Sequence, residues 1–556
     1  MHPRARLLFL GIMGAALCAP IAQAEKQTVC TITVNSADEK EAFRRYLPPD
    51  KFQFVELVER GRPDWLASAC RTGVHCDVLV ISGHYDGGHE FFSEHVEASE
   101  FLPVAEMERV ACSDSCPGLF SKLKEVYLFG CNTLNPEARH SASAEIGRSL
   151  VRGGLPAAEA QQFARSLNAR HGESSRDRMR MVFKDVPVIY GFSSTAPLGP
   201  TAASTLSRYL QATGASEVGS GRASGRLLAQ FSANAMTVTR GMTESDPQAA
   251  YRRDVCQFAD DRLSDAQKLG FVHQLLQRQT AEARMFLDRI EGYAATLAER
   301  DRMPPDVAQA LDEIAYDAPV RERYLDFARD ADEPAVQVRM LNLARTLGWL
   351  SPEERKAEIA RMLAGLLAED KPGAAEVALA CTLNQDHALD GELDAVVSPA
   401  APGGVGQAAV RACLGSADGH MRTLEALLSP REGDVLIAQT YLRQRPISDA
   451  DELRTLTSGI AQMSGSDAQV RALQALGRHH LSDPASLETL TRLFPVAESL
   501  NVQNAIAGVL IRADYRTIAR PDVVRTLREY RRKSPSGEDV IDALIRRLVA
   551  VNSDVP

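Results

Sequence analysis

Three short apolar runs limit what this chain can fold into: VLVIS at 78–82, VYLF at 126–129 and VPVIYGF at 186–192. Each is too short for a buried helix, is rich in β-branched or aromatic residues and carries a glycine at or near its end. That pattern marks strands covered on both faces. Two further strand-like segments, TVCTITV at 28–34 and FQFVELV at 52–58, precede them. Helical patterns fall between and after, among them ADEKEAFRRYL, EARHSASAEIGRSLV and GPTAASTLSRYLQAT. The alternation predicts an α/β fold over 25–248, with a mostly parallel sheet sheathed by helices. Ligands of such sheets sit outside the carboxyl ends of the strands. The first run leads into SGHYDGGHEFF and the second into GCNTLN, so His84 and Cys131 stand at two of those ends.

A chain of 556 residues is too long for one core, and more than one domain is expected. From about 250 onward the strand signal stops. AVQVRMLNLARTLGWL, AAEVALACTL, VGQAAVRACLG, DVLIAQTYLRQ, DAQVRALQALGRH and NVQNAIAGVLIRAD read as degenerate copies of one amphipathic helix. They recur at roughly 30–40-residue intervals and resemble HEAT-type repeats. An all-α, solenoid-like domain is therefore expected over 249–556, with SPAAPGGVG as a loop inside it and RHH at 478–480 as a solvated helix end. The concave surface of such an array would take a protein partner.

The first 24 residues predict a signal peptide: Arg4 and Arg6, an apolar stretch from Leu7 to Ala16, and Ala22-Gln23-Ala24 before the cut. No later stretch is long and apolar enough to span a bilayer. A net charge of −10 argues against nucleic acid as a partner. The mature chain is expected to work in the periplasm or as a secreted protein, where cysteines oxidise. Of the ten cysteines, Cys18 lies in the leader, and the odd remainder leaves one thiol free. Local spacing pairs Cys112 with Cys116 and Cys70 with Cys76. Cys381 and Cys413 occupy similar places in successive helical segments, and Cys30 is left for Cys256. The free one is then Cys131.

A cysteine nucleophile needs a base close enough to take its proton, and a histidine on a neighbouring strand end can supply one. The backbone N–H of the cysteine, with one beside the histidine, can hold the oxyanion of a tetrahedral intermediate. A strand ending in SGH followed by a strand ending in GCNT resembles the caspase-like cysteine peptidases, especially their CHAT and separase members. The interval between the two residues is near the roughly 50 positions that caspases use. VIYGFSSTAPLGPTAASTLSRYL also resembles the later strand and helix that form the family's primary specificity pocket.

The resemblance covers about 28–215. It implies a three-layer caspase-like sandwich, Cys131 as nucleophile and His84 as general base and acid. It further implies Gly83, Tyr85, Asp86 and Cys131 as backbone donors, a protein or peptide substrate, and no metal or organic cofactor. Ser193, Ser194 and Thr195 would line the substrate pocket. The family's glycine after the histidine is Tyr85 here, and this departure favours the alternative of a catalytically silent caspase-like domain in a repeat scaffold. Phe129 stands two residues before the cysteine, where relatives that cut after basic residues carry an acid.

Bland readings apply to the neighbours. Asp86 is expected to form the turn in YDGG, and His89 and His95 to lie at the surface. A metallo-β-lactamase-type metal motif fails because Ser82 and Gly87 occupy two of its histidine positions. NARHGESSRDRMR at 168–180 is polar and basic, and reads as an exposed loop open to self-cleavage.

Overall fold

A computed structural model describes residues 25–57, 65–94, 101–113, 116, 118–138, 141–213, 216–299, 302–368, 372–391, 403–478, 480–532 and 540–553. The expected signal peptide, His95, His479 and most of SPAAPGGVG lie outside them. The chain divides into two compact units, one ending at Ala310 and the other beginning at Leu311.

The first unit is built on nine strands among the described residues: β1 (Gln27–Thr33), β2 (Phe52–Glu56), β3 (Val78–Ser82), β4 (His84–Tyr85), β5 (Glu90–Phe92), β6 (Phe101–Pro103), β7 (Glu125–Phe129), β8 (Val188–Phe192) and β9 (Met236–Thr239). Six of them form one sheet in the order β2-β1-β3-β7-β8-β9. All its neighbours run parallel except β9, which is antiparallel to β8. The apolar runs are buried on both faces, as their composition requires. Leu79, Ile81, Val126, Leu128 and Ile189 face a core shared with Leu66, Met107, Met179 and Val182 from helices. Val78, Val80, Tyr127, Phe129, Tyr190 and Phe192 face the other core, with Phe43, Leu206, Tyr209 and Leu227. Helices thus cover both faces of a mostly parallel sheet. The short strands β4, β5 and β6 form a separate antiparallel sheet that begins one residue after β3 ends.

The α/β unit does not stop at 248. Helices Ala249–Ala259 and Leu287–Ala298 belong to it. Arg289 makes two bonds, of 2.8 and 2.9 Å, to the buried Glu108. Arg252 donates to the carbonyls of Met181 and Ala111. Periodicity reports where strands cease, whereas these buried links decide where a compact unit ends.

Cysteine pairing differs from the spacing-based expectation in three of four bridges. The disulfides are Cys30–Cys76, Cys70–Cys116, Cys112–Cys256 and Cys381–Cys413, and Cys131 is free. Only Cys381–Cys413 and the free thiol follow the expectation. Cys30 is fully buried in β1, beside β3, and meets the equally buried Cys76 at the entrance to β3. Cys112 closes helix Val104–Cys112 and reaches across to Cys256, so sequence neighbours such as Cys116 point elsewhere.

The second unit is all-helical among its described residues. Several of its helices start on side-chain caps, for example Asp317, Asp449, Asp483 and Ser499. Their apolar stripes, such as Leu473, Leu476, Ile506 and Leu510, are buried. Arg478 and His480 are exposed. No described helix is long and apolar enough to cross a membrane.

Segment 168–180 is not an exposed loop. It is the end of helix Ala157–His171, a turn at Gly172 with φ 62°, and the start of helix Ser175–Val182. His171, Ser174, Ser175 and Met179 are buried. Peptide mapping of the oxidised protein without reduction is expected to recover Cys70–Cys116 and Cys112–Cys256, with Cys131 alone alkylated. Recovery of a Cys112–Cys116 peptide would contradict this arrangement.

Candidate active site

β3 and β7 pair in a register that sets Ser82 opposite Phe129. The ladder runs one step further, where the Gly83 N–H donates to the Phe129 carbonyl at 3.1 Å. His84 and Cys131 therefore each leave the sheet two residues beyond a paired position, at the carboxyl edge of adjacent strands. Gly130 makes this approach sterically feasible. A Cβ there would lie 2.9 Å from the Gly83 carbonyl oxygen and 2.9 Å from the Tyr85 Cβ.

Past Gly130 the chain turns sharply. Asn132 adopts a left-handed conformation, φ 59°, which asparagine tolerates better than most residues. Its N–H donates to the Ser194 carbonyl at 2.7 Å, and the Leu134 N–H to the Phe192 carbonyl at 2.9 Å. The Thr133 hydroxyl donates to the Gly130 carbonyl and accepts from the Phe192 N–H. These bonds staple the cysteine turn to the exit of β8. They also bring Ser193–Thr195 beside Cys131, and the Ala196 N–H reaches the thiol sulfur at 3.3 Å. The Ser193 hydroxyl bonds to the Ala235 carbonyl, while Ser194 and Thr195 are exposed.

His84 is half-buried in a hairpin, opposite Phe92. Asp86 makes the turn as expected: its carboxylate accepts from the N–H groups of Gly88, His89 and Glu90. Burial pushes that carboxyl up, but the three donors outweigh it and hold it below the usual carboxylate range. His89 is exposed. The turn is gripped from outside by helix Ser175–Val182. Ser175 donates to the Gly87 carbonyl at 2.8 Å, and Arg178 donates to the Gly88 carbonyl. The same helix start reaches the cysteine turn, through the Arg176 N–H on the Asn135 carbonyl at 3.1 Å. One helix thus braces both loops.

The four expected backbone donors reduce to two. Gly83 is engaged with Phe129, and the Asp86 N–H donates to the Glu90 carbonyl at 3.3 Å. Bonded pairs alternate along an antiparallel ladder, so the Tyr85–Phe91 pair lies between bonded ones and the Tyr85 N–H turns away from β5. Tyr85 and Cys131 remain as donors. The Cys131 N–H has no bonding partner among the described residues. The Tyr85 side chain is buried against Phe91, with ring centroids 4.8 Å apart. It points into the core, and burial pushes its hydroxyl up to about 12.

Sequence reading missed Ser175, Arg178 and the buried Glu39. Glu39 lies at the start of helix Asp38–Tyr46, near the end of β3, where Ser82 bonds to it. Burial raises its carboxyl to about 7 against the opposing Ser82 and backbone bonds, and its Oε2 finds no partner among the described residues. Among the described residues no group of three or more His, Cys, Asp or Glu side chains is placed to hold a metal ion. Compared with protein-family models, with curated proteins and with solved structures, the chain matches none.

Two outcomes follow from this geometry. Gly130→Ala is expected to cost about 1–3 kcal/mol through overpacking and to slow alkylation of Cys131, measured by denaturation and by mass spectrometry. Glu39 holds its proton more tightly when folded, so its ionisation destabilises the protein increasingly as pH rises from the unfolded carboxylate range through about 7. Glu39→Gln should therefore match wild type near pH 4.5 and exceed it above pH 8 by on the order of 2–3 kcal/mol. An equal difference at both pH values would refute that account.

Proposed function

We propose that this protein is an exported, caspase-like cysteine endopeptidase acting through Cys131 and His84, with the helical unit binding substrate or a partner protein. The observation that carries the reading is the level exit of His84 and Cys131 from adjacent parallel strands, closed up by Gly130.

In this reading the Cys131 sulfur attacks a peptide carbonyl carbon and its proton passes to His84. The carbonyl oxygen becomes an oxyanion, held by the N–H groups of Tyr85 and Cys131. His84 returns the proton to the leaving amine as the C–N bond breaks, leaving a thioester on Cys131. A water then attacks the thioester, giving its proton to His84, and the acid departs with the thiol restored. The exposed Ser194 and Thr195, beside the sulfur, are placed to meet the substrate residue before the cut. Four disulfides fit an oxidising compartment, which agrees with the leader read in the first 24 residues.

A second reading, a silent caspase-like module in a helical scaffold, draws on Tyr85 standing where relatives have glycine. Its side chain is turned into the core, so it does not cover His84. Labelling with iodoacetamide separates the two. In the oxidised mature protein, Cys131 is expected to react near pH 6.5 at least about tenfold faster than a free thiol of pKa about 8.5. That advantage should vanish in His84→Ala, and Cys131→Ala should abolish peptide cleavage with the fold intact. Slow labelling, unchanged by His84→Ala, would leave the scaffold reading.

A further inference from the structure

The reading above uses one nitrogen of the His84 ring, and the other has a neighbour. In the hairpin His84 lies directly across from Phe92, with ring centroids 5.4 Å apart. Side chains two residues apart on an extended chain share a face, so Glu94 falls on the side of Phe92 that carries His84. Its carboxylate Oε1 lies 3.5 Å from His84 Nε2. The placement is fixed from a second direction. The Glu94 N–H donates to Asn35 Oδ1 at 3.4 Å, and the Asn35 N–H donates to the Ser82 carbonyl at 3.3 Å. Glu94 is therefore tied, through Asn35, to the strand end from which His84 emerges.

We propose that Glu94 is a positioning residue that orients the His84 imidazole by accepting from Nε2–H, so that Nδ1 is the nitrogen presented to the Cys131 sulfur. The proposal rests on the Cys131–His84 reading and extends it from a pair to a triad. An imidazole has two nitrogens, and the bond made by one selects what the other does. With Nε2 donating to a carboxylate, the neutral ring carries its lone pair on Nδ1 and can take the thiol proton there. The other carboxylate of the hairpin turn, Asp86, is committed to three backbone donors. Glu94 is 73% exposed, so its electrostatic share is screened, and its main effect is on ring orientation and tautomer. Glu94 lies in FFSEH, where nothing in the local sequence marks it.

The test uses the full-length oxidised protein and the rate of iodoacetamide labelling at Cys131 from about pH 5 to pH 9.5, for wild type, Glu94→Gln, Glu94→Asp and His84→Ala. Glu94→Gln keeps the size of the side chain and removes its charge. It is expected to slow labelling roughly three- to tenfold between pH 6 and 7 and to converge with wild type at high pH, where the thiol ionises without help. Glu94→Asp should fall between the two. A Glu94→Gln profile superimposable on wild type, beside a slowed His84→Ala, would overturn the role of Glu94 and leave the pair standing. Slowing by the same factor at every pH would show a structural effect and also overturn it. If His84→Ala labels like wild type, the Cys131–His84 reading itself fails and the role of Glu94 falls with it.

Discussion

The site hangs on a missing side chain. At Gly130 the exit of β7 passes so close to the exit of β3 that an added Cβ would collide with a backbone oxygen and a neighbouring Cβ. Backbone at that position cannot give way cheaply, because both strands are hydrogen-bonded on each side within the sheet. The four central strands each contribute to the result. β3 delivers His84 and β7 delivers Cys131. The exit of β1 supplies Asn35, which holds Glu94, and the exit of β8 supplies the N–H that reaches the sulfur. Chemistry placed on loops is only as well defined as the scaffold beneath them.

A second brace acts from outside the sheet. Helix Ser175–Val182 sends Met179 and Val182 into the core, while its first turn bonds the carbonyls of Gly87 and Asn135, one from each loop. The apolar side fixes where the helix lies, and the polar side transfers that position to both loops. Arg178 and Ser175 thus align residues far from them in sequence. The same helix is anchored behind by Arg180 on Asp246 at 2.8 Å and by the Arg252 bond to Met181. This chain of contacts explains why the helices after 248 belong to the first unit.

The sheet was legible because burial on two faces demands unbroken apolar runs, and few other structures use them. His84 and Cys131 were legible as polar residues at the ends of such runs, and the turn role of Asp86 followed from the glycines beside it. What failed has one physical cause. Pairings that depend on tertiary approach leave no mark in local spacing. Cys70 and Cys76 are close in sequence, yet one ends a helix and the other enters a strand, and each meets a cysteine 46 positions away. NARHGESSRDRMR looked exposed because its charges are conspicuous, although Arg178 and Arg180 direct them inward to carbonyls and a carboxylate. Glu39 and Glu94 were invisible for the same reason, since a carboxylate's role depends on what folds against it.

Under the proposed reading, disulfide formation and a nucleophilic thiol are in tension, because a thiolate also attacks disulfides. The architecture separates them by face and by burial. Cys30, Cys76 and Cys116 belong to the core beneath one face of the sheet, and Cys30 and Cys76 are wholly shielded. Cys131 lies beyond the carboxyl edge, in a turn bonded to the exit of β8. Its sulfur meets the Ala196 N–H, and every other described cysteine is already bridged. A bridge such as Cys112–Cys256 also ties the later helices to the sheet unit, so oxidation both stabilises the frame and leaves Cys131 as the one unbridged cysteine among the described residues.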